Sequence, residues 1–236
     1  MELDSLLHLP FWLGVGQIIL IDILLGGDNA VVIALACRKL PESQRLKGIL
    51  WGTAGAIALR VVLIFFALTL LSIPYLKLAG AALLVWIGVK LLVPDEDEHG
   101  SIQASTKLWA AVRTIIVADL VMSIDNVIGI AGAAQGSGQQ GHQMPLVIFG
   151  LLVSVPIIVW GSGMVLKLMD RFPFIVTAGG MLLGWIGGSL AVADPAVRPW
   201  VPDSDTVRYG AGAVGALLVL GLGTLFARGA AATESE

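Results

Sequence analysis

Four aspartates stand inside long apolar runs, two in each of a pair of related stretches. The first stretch is DILLGGDNAVVIALA, residues 22–36, and the second is DLVMSIDNVIGIAGA, residues 119–133. Both have the form D-x5-D-N. Asp22 aligns with Asp119, Asp28 with Asp125 and Asn29 with Asn126. Carboxylates, amide oxygens and exposed backbone carbonyls form a hard oxygen donor set, suited to Mg, Ca or Mn. The three histidines, His8, His99 and His142, and the single cysteine, Cys37, lie outside the motif residues, against zinc or copper as the preferred ion. Crowded carboxylates raise one another's pKa. An empty site would therefore hold protons that an entering metal ion expels, which makes metal/proton exchange a natural chemistry.

The elements that carry these residues are expected to cross a bilayer. The chain has 236 residues, of which 57% are hydrophobic and 13% charged. Its mean hydropathy is +0.90. Soluble domains carry about 25% charged residues. Apolar runs near the roughly 17–25 residues of a membrane helix recur at 11–37, 48–71, 74–93, 108–134, 145–166, 173–193 and 209–227. The expected fold is an all-α membrane protein of seven transmembrane helices. A net charge of −3 without a dense basic block excludes nucleic acid as a partner. Lone Cys37 excludes an internal disulfide. The acidic start, Met1-Glu2-Leu3-Asp4, lacks a signal peptide's basic segment, so the first span is expected to be retained.

The duplication extends beyond the motifs. IPYLKLAGAALLVWIGVK (73–90) matches FPFIVTAGGMLLGWIGGS (172–189), with Pro74/Pro173, Gly80/Gly179, Trp86/Trp185 and Gly88/Gly187 among the identical pairs. Spans one to three thus recur as four to six, and span seven is extra. Because three is odd, the second copy must run inverted relative to the first, an arrangement of secondary transporters that bind substrate near the midplane. The chain then divides into repeat one at 11–93, a cytoplasmic linker at 94–107, repeat two at 108–193, a seventh helix at 209–227 and a polar tail at 228–236. Of the two longer connectors, PDEDEHG (94–100) reads as a solvated acidic linker and ADPAVRPWVPDSD (193–205) as a Pro-rich external loop.

Lys and Arg set the orientation. Arg38, Lys39, Arg45, Lys47, Lys90, Lys107, Arg113, Lys167, Arg171 and Arg228 fall on one side; Lys77, Arg198 and Arg208 fall on the other. The N-terminus is expected outside and the C-terminus in the cytoplasm of a bacterial cell (inner or plasma) membrane. Asp22 and Asp119 are each the twelfth residue of their span, about 17 Å into a core about 30 Å thick. A central Asp costs about 2.5–3.5 kcal/mol even on the lenient insertion scale, so four of them point to function. Six residues turn a helix through about 600°, leaving Asp22 and Asp28 about 120° apart. Gly26-Gly27 is the expected break that turns Asp28 inward. Ser123-Ile124 takes its place in span four, with the Ser123 hydroxyl a candidate extra ligand. Arg60, the one cation inside a span, is expected to pair with an aspartate.

The D-x5-D-N motifs in spans one and four, with the 3+3+1 layout, resemble the TerC family of integral membrane proteins, and within it the YjbE-type branch. The resemblance covers the chain to about residue 228. It implies metal handling, chiefly manganese efflux, with Asp22, Asp28, Asn29, Asp119, Asp125 and Asn126 as the metal site. The expectation is an exporter of a divalent cation, Mn2+ first, with the metal as substrate and no permanently bound cofactor. Its partners are metal and membrane lipid, and a homo-oligomer is left open. The alternatives are a carrier of Ca2+ or another cation, and a membrane metal sensor that moves nothing. An intramembrane aspartyl protease fits poorly, because LGGDN has Leu25 where the Gly-x-Gly-Asp pattern needs glycine.

Overall fold

A computed structural model describes residues 12, 16, 19, 28–93, 104–136 and 143–233. The side chains of 65, 67–72, 104–105, 125–147 and 229–233 lie outside that description. The described residues form helices, with no strand among them. Seven helices follow in order: α1 (28–38), α2 (Glu42–Ser72), α3 (Leu76–Leu92), α4 (Ala104–Gly136), α5 (Gln143–Arg171), α6 (Phe174–Val192) and α7 (Asp205–Thr233). Several outrun the apolar stretches that announce them. Hydropathy marks the part of a helix that suits hydrocarbon, whereas backbone hydrogen bonding carries on into the polar boundary. At α2 it stops at Pro41, whose carbonyl accepts the first helical N–H bonds, from Gln44 and Arg45.

Among the described residues, four segments are long and apolar enough to cross a bilayer: Glu42–Ile64, Ile148–Arg171, Phe174–Val192 and Asp205–Arg228. The remaining helices differ for physical reasons. α3 has only 17 residues. α4 interrupts its described apolar side chains with Lys107, Arg113 and Asp119. Only 28–38 of the first apolar run is described continuously.

Helices in lipid gain little from burying apolar surface against one another, so close backbone contact through small residues holds them together. α6 is the hub of such contacts. A Cβ on Gly88 of α3 would lie 3.0 Å from the Gly180 carbonyl oxygen, and one on Gly187 of α6 would lie 3.0 Å from that of Ala81. The two contacts are reciprocal: Ala81 aligns with Gly180, and Gly88 with Gly187. On its other face, α6 meets α7. A Cβ on Gly184 would strike the Gly215 carbonyl oxygen, and one on Gly188 that of Ala211. α2 approaches α4 in a similar way, with Gly52 over Ile115 and Gly55 over Ile116.

The connector after α6 has a structural task its composition does not advertise. Asp194 is fully buried. Its Oδ1 accepts the backbone N–H of Tyr75 (2.9 Å) and of Ala196 (2.7 Å), and its Oδ2 accepts that of Leu78 (3.1 Å). Tyr75 precedes α3 in a left-handed conformation (φ 67°) and offers no side-chain cap of its own. A carboxylate from the end of α6 therefore caps the start of α3 and complements its dipole. Burial works against its charge. The N–H groups of Ala196, Tyr75, Leu78 and Lys77 outweigh that and hold the carboxyl below the ordinary carboxylate range.

A depressed folded-state pKa contributes stability that is complete above the unfolded value, about 3.9, and is lost as pH falls through the folded one. Asp194→Ala should therefore lower stability near neutral pH by about 2 kcal/mol, the upper end of a capping loss. The deficit should shrink below about pH 4. Thermal unfolding of the detergent-solubilised protein across pH measures both, and a deficit that is constant with pH would contradict the charge-based cap.

Candidate functional site

The site begins where α2 and α4 touch. Gly52 and Gly55 bring α2 against Ile115 and Ile116, and the same contact lets Arg60 reach across. Arg60 is 2% exposed and Asp119 6%. Arg60 Nη2 donates to Asp119 Oδ1 at 2.5 Å, and its Nε donates to the Ser123 hydroxyl at 3.1 Å. Ser123, fully buried, in turn donates to Asp119 Oδ2 at 3.1 Å. Asp119 and Ser123 are four residues apart, so they stand on one stripe of α4. The aspartate partner expected for Arg60 is thus Asp119.

This triangle engages two of the expected ligands. Both oxygens of Asp119 accept a hydrogen bond, one from a cation that balances its charge. The Ser123 hydroxyl accepts from Arg60 and donates to Asp119, so it is engaged in the pair. α4 runs as one helix from Ala104 to Gly136, unbroken through the second motif.

The residues of the first motif stand differently. Asn29 is 4% exposed, and neither its amide oxygen nor its nitrogen has a hydrogen-bond partner among the described residues. It lines a small cavity with Val32, Ile33, Ile115 and Asp119, so the structure brings the first motif's Asn29 and the second motif's Asp119 together. Asp28 is half-buried, and its Oδ1 is buried without a partner among the described residues. It opens onto a larger cavity of about 300 Å3 shared with Met122 of α4 and with α6 and α7. Unsatisfied buried polar atoms are costly and rare; among the described residues three belong to Asp28 and Asn29, and the others to Gln44 and Thr53.

The other expected site residues are less fully placed. Asp125 and Asn126 lie on α4, one turn beyond Met122, with side chains outside the described residues. Asp22 and the Gly26-Gly27 break lie outside the described residues altogether. Among the described residues no group of three His, Cys, Asp or Glu side chains is close enough to hold a metal ion. Sequence reasoning missed Thr53, which is 2% exposed with a hydroxyl lacking a partner among the described residues. Its spacing is the available signal: Thr53 lies seven residues before Arg60, hence on the same face of α2.

A desolvated ion pair is weak evidence for stability, but removing one partner strands the other charge. Arg60→Met and Asp119→Leu should each destabilise the fold by about 3–5 kcal/mol, while the double variant recovers most of the loss. Unfolding of the four proteins in detergent forms a double-mutant cycle. Additive losses would show that the pair is not coupled.

Comparison with known proteins places the chain in a family. The family model described as integral membrane protein TerC family matches residues 7–231. The uncharacterized membrane protein YjbE of Bacillus subtilis (strain 168) is 43% identical over 208 residues, covering 88% of this chain and 89% of that one. The uncharacterized membrane protein YkoY of the same organism is 27% identical over 183 residues, covering 72% and 56%. The inner membrane protein YgdQ of Escherichia coli (strain K12) is 24% identical over 182 residues, covering 70% and 73%. No solved structure matches. With four described helices long and apolar enough to cross a membrane and a family match over nearly its whole length, the chain belongs to the TerC family of integral membrane proteins.

Proposed function

We propose that the chain exports a divalent cation, Mn2+ first, across the bacterial plasma membrane, with protons moving in exchange. It is a transporter, not an enzyme. The observation that carries this reading is that Asp28 Oδ1 and the Asn29 amide oxygen have no partner among the described residues and face cavities beside an Asp119 already neutralised by Arg60. A polar cluster of this kind at membrane depth defaults to an ion pathway. Asp28 and Asn29 would bind the ion together with Asp22, Asp125 and Asn126, and Asp119 would hold the local charge through Arg60. The four aspartates and Arg60 sum to −3 when all are ionised, so one divalent ion leaves −1. The all-oxygen donor set supports a hard cation. The TerC resemblance supports manganese and outward movement.

In this reading seven helices cross the membrane, six of them as an inverted 3+3 repeat with α7 added. The reciprocal contacts of Gly88 and Gly187 support that symmetry. Alternating access would come from one repeat moving against the other. The distribution of Lys and Arg puts the N-terminus outside and the C-terminus in the cytoplasm.

The test is Mn2+ flux in proteoliposomes with internal pH followed at the same time. The wild type should move Mn2+ with opposed proton movement. Asp28→Asn, Asn29→Ala and Asp125→Asn should each reduce flux at least about tenfold, the equivalent of about 1.4 kcal/mol. Flux without a pH change would remove the proton exchange. Folded wild-type protein that moves none of Mn2+, Ca2+ or Mg2+ would refute transport and favour a sensor.

A further inference from the structure

The cavity that ends at Asp28 is larger than a binding site for one bare ion requires, and much of its wall comes from α7, the helix outside the duplicated six. Asp205, Arg208 and Tyr209 of α7 stand exposed around it, Ser189 and Ile186 of α6 line it half-buried, and Asp28 closes it. Its volume of about 300 Å3 is room for on the order of ten waters at ~30 Å3 each. That is enough for a divalent ion with its hydration shell.

The wall does not depend on loose side chains. Gly188 and Gly184 seat α6 directly on the backbone of α7, and the Ser189 hydroxyl donates to the Arg208 carbonyl at 3.3 Å. α6 and α7 thus form one rigid face. Lipid is a poor filling for such a space. Hydrocarbon against the Asp28 carboxyl group would be costly, and water removes that cost.

The opposite end of the bundle carries side-chain ties between helices. Arg45, near the start of α2, donates from Nη1 to Asp170 Oδ2 at 2.6 Å, near the end of α5. The same guanidinium also donates to the carbonyls of Leu40 (3.3 Å) and Arg38 (3.3 Å). Lys39 Nζ donates to the Val93 carbonyl at 2.8 Å, joining the ends of α1 and α3. The described structure is open beside α7 and stitched where α1, α2, α3 and α5 meet.

We propose that α6 and α7 wall an aqueous vestibule through which the hydrated divalent cation passes between Asp28 and the membrane face that carries the 193–204 connector. This inference rests on the transport reading above and adds α7 to the cation's route.

Single-cysteine variants test it in a Cys37→Ala background, since Cys37 is the chain's only cysteine. Ser189→Cys and Ile186→Cys probe the wall, and the second covers a failure of the first to fold. Leu217→Cys probes the exposed apolar face of α7, and Ser43→Cys the stitched end. The probe is a membrane-impermeant cationic methanethiosulfonate applied to intact cells. The wall positions should react at least tenfold faster than Leu217→Cys, and Ser43→Cys only after permeabilisation. Mn2+ should slow the wall reaction, and adding Asp28→Asn should abolish that protection. Wall positions no more reactive than Leu217→Cys overturn the vestibule, and labelling that Mn2+ never slows overturns it as a cation route. Mn2+ flux through the Cys37→Ala protein is read separately. A dry wall with intact flux refutes the vestibule alone, whereas absent flux refutes transport itself.

Discussion

An ion pair with almost no exposure to solvent, Arg60 with Asp119, is the constraint around which the described helices are arranged. A guanidinium and a carboxylate can remain charged in so dry a place only if each finds the other at hydrogen-bonding distance. That demand brings α2 and α4 together, and the small residues Gly52 and Gly55 make the approach possible. It also engages Ser123, which accepts from Arg60 Nε and donates to Asp119 Oδ2. The consequence for chemistry is a division of labour. Asp119 is neutralised within the protein, while Asp28 and Asn29 keep oxygens without a partner among the described residues.

The pair also makes the two motifs unequal. Arg60 aligns with Ile157 or Ile158 in the second copy, neither of which can balance a carboxylate. Ser123 aligns with Gly26, which has no hydroxyl to complete such a triangle. Two stretches with the same D-x5-D-N form therefore sit in different electrostatic settings.

Around this centre the helices are held mainly by backbone proximity. α6 touches α3 on one side and α7 on the other through glycines whose Cβ would meet a carbonyl oxygen. Side chains enter the framework at the helix ends, where Asp194 caps α3 and Arg45 joins α2 to α5. These end contacts link segments far apart in sequence, by 119 and 125 positions. They suit the boundary region, where charged groups retain water on one side and helix termini need partners.

Much of the helical content was legible in the chain, because a hydrocarbon-spanning helix announces itself by length and apolar composition. The carboxylates were legible because charge in such runs is expensive. Helices with polar flanks or internal charges, such as α4, were harder to delimit, since hydropathy reports solvent preference and not backbone hydrogen bonding. The Asp194 cap was invisible for another reason. Nothing near Tyr75 advertises a cap, and 193–205 reads as an ordinary Pro-rich loop. The sequence alone determined the helical membrane class, the paired motifs and the need of Arg60 for an acidic partner, all of which follow from the cost of polar groups in lipid. Only the tertiary structure decided that the partner is Asp119, that Ser123 serves the pair, and that α7 borders the cavity at Asp28. Those depend on which helix faces approach within a few ångströms, a property of packing that no local stretch of sequence contains.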